Sequence, residues 1–203
     1  LRAEGPAVEA LVCDARDADA TRAAVDDWAG RRGRLDVLVA NVGQNCPRPA
    51  EQSTVEDWQR YIDMNLGTAF YAVRAALGHM LAAGTGKIVL IGSSVVYDGG
   101  GGAIDYAAGK AGLDGMMRYL TRTYARRGVR TNLIHPCVVD TDLLRQRYDD
   151  EAKRARLAEQ VPVGRLGTPA DVGRLAAYLA SGAGDFICGQ AILVDGGRTF
   201  FNK

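Results

Sequence analysis

Short apolar runs alternate with longer amphipathic stretches along most of the chain. Residues 8–13 (VEALVC), 35–41 (LDVLVAN), 87–91 (KIVLI), 129–135 (VRTNLIH) and 190–194 (QAILV) have the length and apolar content of buried strands. Between them the apolar positions fall at helical spacing. Ala23, Ala24, Val25 and Trp28 mark a helix over 19–30. Thr54 is placed to cap a helix that starts near Val55 and runs past Asn65 towards Ala82. Residues 104–127 read as a second long helix, rich in alanine and glycine. Thr168 followed by Pro169 reads as an N-cap with proline at the first helical position, opening a helix over 170–180. Pro136 stops the fourth strand.

Strands that are apolar throughout are buried on both faces, and strands alternating with helices build a parallel sheet covered by helices. The pattern therefore predicts a three-layer α/β fold, with residues 1–203 forming a single domain. There are no internal repeats or linker-like segments. Residues 99–102 are four consecutive glycines, expected to be a flexible connection before the second long helix. The chain opens at Leu1 and runs into what reads as the interior of a helix.

Composition narrows the function classes. The chain has 203 residues, 47% of them hydrophobic and 24% charged, which suffices for a sizeable core. Its net charge of +1 carries no electrostatic signature of nucleic-acid binding. No apolar run approaches the roughly 18 residues that a membrane helix needs. Cys13, Cys46, Cys137 and Cys188 are widely separated, and His79 and His135 are the only histidines. That spacing predicts no metal site and four reduced thiols in a cytoplasmic protein.

Ligands of open α/β sheets bind outside the carboxyl ends of the strands. Asp14, Asn41-Val42-Gly43, Ser93-Ser94, and Pro136 with Thr141 all follow predicted strands, so polar and glycine-rich residues gather at one sheet edge. Tyr106 and Lys110 are four residues apart, hence one helical turn apart on one face. A nearby ammonium favours the phenolate of a group that ordinarily titrates near 10.

Taken in order, these residues resemble the short-chain dehydrogenase/reductase family. The likeness runs through Asp14, Ala40-Asn41-Val42-Gly43, Met64-Asn65-Leu66, Ile91-Gly92-Ser93-Ser94, Tyr106-Ala107-Ala108-Gly109-Lys110, Asn132 to Thr141 and Val194-Asp195-Gly196-Gly197. It implies a Rossmann-like, doubly wound parallel sheet and a catalytic tetrad of Asn65, Ser94, Tyr106 and Lys110. Tyr106 passes a proton to or from the substrate oxygen, and Ser94 holds that oxygen. Lys110 lowers the Tyr106 pKa and binds the nicotinamide ribose, and Asn65 anchors a water in the proton path. Ser93 is then the structural neighbour of the catalytic serine, and His135 a structural residue.

The family further implies NAD or NADP as cofactor, met by Asp14, Ala15, Asn41, Gly43, Tyr106, Lys110, Pro136, Val139 and Thr141. The expected reaction interconverts a small-molecule alcohol and ketone, in a homodimer or homotetramer built on the two long helices. Cys137 stands where the family usually has glycine. No glycine-rich turn of the family's first βαβ portion precedes Asp14, so the choice between NAD and NADP is unreadable. The sheet order 3-2-1-4-5-6-7 would put the missing strands between 8–13 and 35–41. Those two stretches are then expected to pair with each other, to recruit another chain, or to belong to a longer protein. For a chain complete as it stands, the alternative is cofactor-free acid–base chemistry of the lyase, isomerase or cyclase kind.

Overall fold

The computed structural model describes residues 8–201. The opening stretch read as a helix interior lies, up to residue 7, outside the described residues. Four parallel strands form one sheet in the order β1 (Val37–Ala40), β2 (Gly86–Ile91), β3 (Val129–Pro136) and β4 (Ala191–Val194). The helices are α1 (Ala18–Arg32), α2 (Val55–Ile62), α3 (Thr68–Ala83), α4 (Val95–Asp98), α5 (Ile104–Tyr124), α6 (Asp142–Arg147), α7 (Glu151–Glu159), α8 (Pro169–Ala180) and α9 (Arg198–Phe201).

Alternation along β2 sorts the core into two faces. Ile88 and Leu90 join Leu133, Val129, Met80, Leu113 and Met117 under α3 and α5. Val89 and Ile91 join Ile134 and Leu179 under α8. Helix starts follow the expected local chemistry. Asp17 accepts from the N–H groups of Asp19 and Ala20 at the head of α1. Thr54 with Asp57, and Thr168 with Asp171, form reciprocal capping boxes at α2 and α8, and Pro169 is the first residue of α8. Gly128 ends the α5 segment at φ +87°, where an added Cβ would lie 1.8 Å from the Gly84 carbonyl oxygen. Only glycine fits there.

Two expectations need correction. The stretch 8–13 forms no strand: Val8, Leu11 and Val12 are exposed, Val12 completely at 102%. A strand exists only through its ladder, and among the described residues no strand lies alongside this one. Nor do 8–13 and β1 pair with each other. β1 pairs on one side only, with β2, and Val39 on it is 46% exposed. The other correction concerns the helix from Val55. Residues Asp63–Gly67 form a π-helical turn between α2 and α3, centred on Asn65.

Candidate active site

The carboxyl ends of β1, β2 and β3 bring four polar side chains against one another. Lys110, on α5, is buried, and its ammonium donates to the Ile91 carbonyl at 2.9 Å. Burial is the cause that lowers its pKa from the ordinary 10.5 to about 8. Asn65 is fully buried in the π turn. Its Oδ1 accepts from the Gln44 N–H at 3.0 Å, while Nδ2 donates to the carbonyls of Gln44 at 2.8 Å and Tyr61 at 2.9 Å. The wider π turn releases the Tyr61 carbonyl from the regular helical pattern, and the amide takes it up. Asn65 thus clasps the loop after β1 to α2.

Gly43 sits in that clasp. A Cβ there would lie 2.8 Å from Asn65 Oδ1 and 2.9 Å from Lys110 Nζ. The absence of a side chain is what lets the β1 loop reach the buried lysine.

Tyr106 lies one turn before Lys110. Burial raises its phenol above the ordinary 10, a hydrogen bond with the Ser93 side chain pulls it back, and the nearby Cys137 sulfur raises it. The Lys110 ammonium is bonded to the Ile91 carbonyl instead.

Of the two serines, the Ser93 hydroxyl is the one that pulls the Tyr106 pKa down. Ser94 is buried and starts α4: its N–H donates to the Pro136 carbonyl at 3.0 Å, and its carbonyl accepts from Tyr97 at 2.9 Å. Alternation counted along β2 puts Ser94 on the α5 side, and the bonds of the Gly92 and Ser94 N–H groups to the Ile134 and Pro136 carbonyls carry the strand's register that far. Gly92 is required because a Cβ would meet His135 Nδ1 at 2.4 Å. His135 is fully buried, with Nδ1 2.9 Å from the Ser93 carbonyl oxygen and 3.1 Å from the Ser93 nitrogen. Burial holds its imidazole below the ordinary 6.5.

The residues expected at the far end of a dinucleotide are less constrained. Asp14 is exposed and paired with Arg16, which donates from its backbone N–H at 3.0 Å and from Nη2 at 2.8 Å. Those bonds hold the Asp14 carboxyl down at about 2. The Ala15 carbonyl accepts from Thr21 at 3.4 Å, and Asn41 is exposed beyond β1. On the other flank Pro136 ends β3, Val139 bridges to Gly167, and Thr141 caps α6 by accepting from the Leu144 N–H. Val138 between them has φ +42°, a conformation rarely adopted by a β-branched residue. The glycine run is held: the Gly101 carbonyl accepts from Asn45 at 2.9 Å and from Arg147 at 2.6 Å.

A nicotinamide riboside fits this donor set. An ammonium has three N–H donors, and Lys110 uses one of them. The bare backbone of Gly43 leaves space beside it. Among the described residues no group of acidic, histidine or cysteine side chains could hold a metal ion, and no helix is long and apolar enough to cross a membrane.

Comparison with known proteins agrees with this geometry. A family profile described as enoyl-(acyl carrier protein) reductase matches residues 1–199. The chain is 38% identical over 187 residues to cis-4-hydroxycyclohexanecarboxylate dehydrogenase of Sinomonas cyclohexanicum, covering 92% of this chain and 74% of that protein. It superposes on the ligand-free aldohexose dehydrogenase of Thermoplasma acidophilum with a TM-score of 0.90 at 29% identity, covering 94% of this chain and 78% of the other. A gluconate 5-dehydrogenase of Burkholderia cenocepacia, in complex with NADP and tartrate, gives 0.86 at 33% identity, covering 92% and 73%. By sequence and by fold alike, the chain belongs to the short-chain dehydrogenase/reductase family of NAD(P)-dependent oxidoreductases.

Proposed function

We propose that this oxidoreductase interconverts a small-molecule alcohol and its ketone with Tyr106 as the general acid and base. The observation that carries this reading is a buried Lys110 one helical turn from Tyr106 on α5, with Gly43 and Asn65 closed against it. When bound, the nicotinamide supplies or accepts the hydride. Tyr106 gives its proton to the ketone oxygen during reduction and takes one from the alcohol during oxidation. The Ser93 hydroxyl donates a hydrogen bond to the same oxygen and fixes its distance from Tyr106. Lys110 holds the nicotinamide ribose hydroxyls through its remaining N–H donors. Asn65 keeps the Gln44 loop, and with it Gly43, against Lys110. Pro136, Val139 and Thr141 line the nicotinamide side, and Asp14, Ala15 and Asn41 the adenosine side.

The pKa directions assign a preferred direction at each pH. A phenol above 10 is protonated at neutral pH and ready to donate, which suits ketone reduction. Oxidation needs the phenolate, so its rate should climb with pH through the alkaline range. The decisive test follows NADH and NADPH consumption with a panel of cyclic and linear ketones, for the wild type and Tyr106→Phe. Turnover by the wild type and none by the variant supports the assignment. Undiminished turnover in the variant removes Tyr106 from the mechanism.

Exposed apolar residues on the long helices, Phe70 on α3 and Tyr119 on α5, support a homodimer or homotetramer built on those faces. Sedimentation analysis tests it, and a monomer refutes it. Four free cysteines support a reducing, cytoplasmic location, checked by fractionation of the native host.

A further inference from the structure

Tyr106, Lys110 and Asp114 recur every four residues along α5, so they share one face of that helix. That face meets the carboxyl end of β2 at two points. Lys110 donates to the Ile91 carbonyl at 2.9 Å. One turn further on, Asp114 Oδ2 lies 3.4 Å from His135 Nε2, and Nδ1 of the same ring lies 3.1 Å from the Ser93 nitrogen. The second point therefore runs from α5, through a side chain of β3, to the residue two beyond Ile91.

The acid–base chemistry described above uses neither Asp114 nor His135. Asp114 Oδ2 and His135 Nε2 are buried and have no polar partner but each other. The ring has no room to turn away. It is fully buried, the Tyr97 ring packs edge-on against it at 5.3 Å, and it fills the space beside Gly92, where a Cβ would lie 2.4 Å from Nδ1. The pair of His79 with Asp26 is of another kind, joining α1 to α3 at the surface with side chains 35% and 48% exposed. A buried polar pair costs desolvation that an apolar pair of the same size avoids, so its presence needs a reason.

The donors and acceptors fix the direction of each bond. Burial keeps the imidazole neutral at neutral pH, so it has one N–H and one lone pair. A carboxylate only accepts, which puts the proton on Nε2 and the lone pair on Nδ1. Nδ1 then accepts from the Ser93 N–H, which has no other acceptor among the described residues. The Ser93 carbonyl, 2.9 Å from Nδ1, takes the Val96 N–H at 3.4 Å. We propose that Asp114 and His135 are positioning residues, which hold the Ser93 peptide, and with it the serine hydroxyl at the reacting oxygen, in place against Tyr106 on the same helix face. This inference rests on the alcohol–ketone reading for the step it serves, and on these contacts for the anchor itself.

The test measures kcat and KM of the full chain with NADH, NADPH and a panel of ketones. Beside it, nitrogen NMR reads the histidine rings, of which His79 and His135 are the only two. His135→Leu should lower kcat about tenfold, as a small misplacement of a reacting group does, with KM for the nicotinamide unchanged. His135→Asn puts an amide oxygen where Nδ1 stood and should restore most of that loss. No loss in His135→Leu, or an equal loss in His135→Asn, overturns the proposal. Asp114→Asn should lower kcat by itself and change nothing further when combined with His135→Asn, because it acts through the ring. The same additional loss in both backgrounds also overturns the proposal. Should His135→Leu not fold, Asp114→Asn and the NMR decide. The wild-type His135 ring should show the Nε2–H tautomer, and an Nδ1–H tautomer overturns the anchor whatever the kinetics. A wild type that reduces no ketone overturns the alcohol–ketone reading, while the tautomer still decides the anchor.

Discussion

Asn65 and Lys110 are sealed from solvent and held by backbone carbonyls, whereas Asp14 and Asn41, assigned to the same cofactor, stand exposed with only local partners. Asn41 directly follows β1, whereas Asp14 follows a stretch that belongs to no strand. The difference is in what surrounds them. Lys110 and Tyr106 are on a long helix packed across β3, and Asn65 is in a turn wedged between that helix and α3. Asp14 follows a stretch without a ladder, and Asn41 follows the strand that pairs on one side only. Preorganisation tracks the number of packed elements behind a residue.

The contrast is broken most sharply by Tyr106→Phe. Loss of proton transfer should lower kcat by about three orders of magnitude, while the melting temperature hardly changes, since the hydroxyl's partner is another hydroxyl. A fall in Tm to match would mean that the phenol is structural.

Lys110→Met should lower turnover and raise stability together. The folded chain holds this amine at about 8 and the unfolded chain returns it to 10.5, so the unfolded state binds more protons between those values. Stability of the wild type should therefore rise as pH goes from about 8 to 10.5. Below 8 the burial penalty is fully present and amounts to about 3 kcal/mol, as each pH unit is worth about 1.4 kcal/mol. Urea melts across that range should show the rise in the wild type and not in the variant. A flat wild-type profile would mean that the charge is better compensated than its surroundings imply.

Ser93→Ala and Ser94→Ala separate the two serines. The first should reduce kcat by about tenfold to a hundredfold through loss of one hydrogen bond to the reacting oxygen. The second should leave kcat near the wild-type value and cost at most about 1 kcal/mol in stability. A reversal of the two kinetic effects would restore Ser94 to the mechanism. The smallest change is expected from Asp14→Asn, which removes an exposed ion pair with Arg16 and should not move the Tm measurably.

Most of the architecture was legible because it depends on short-range rules. The apolar runs at 35–41, 87–91, 129–135 and 190–194 became β1 to β4, and the caps at Thr54 and Thr168 start helices where side-chain chemistry requires. The tyrosine–lysine pair was legible for the same reason, since four residues on any helix are one turn. The apolar run at 8–13 was misleading. Its composition suits a strand, but a strand also needs a neighbour, and composition carries no record of one.

The amino-acid sequence by itself determined the α/β class, the order of the elements, the family and the helical pairing of Tyr106 with Lys110, all of which follow from periodicity, capping and motif order. Tertiary structure alone decided that residue 92 must be glycine, because the His135 ring occupies the space where a side chain would stand. It alone decided that Asn65 closes a clasp on Gln44, that Lys110 titrates at about 8, and that Arg48 lies between two carboxylates. Each of these depends on contacts between residues far apart in the chain, and the free energy of a buried polar group is set by such neighbours rather than by its own identity.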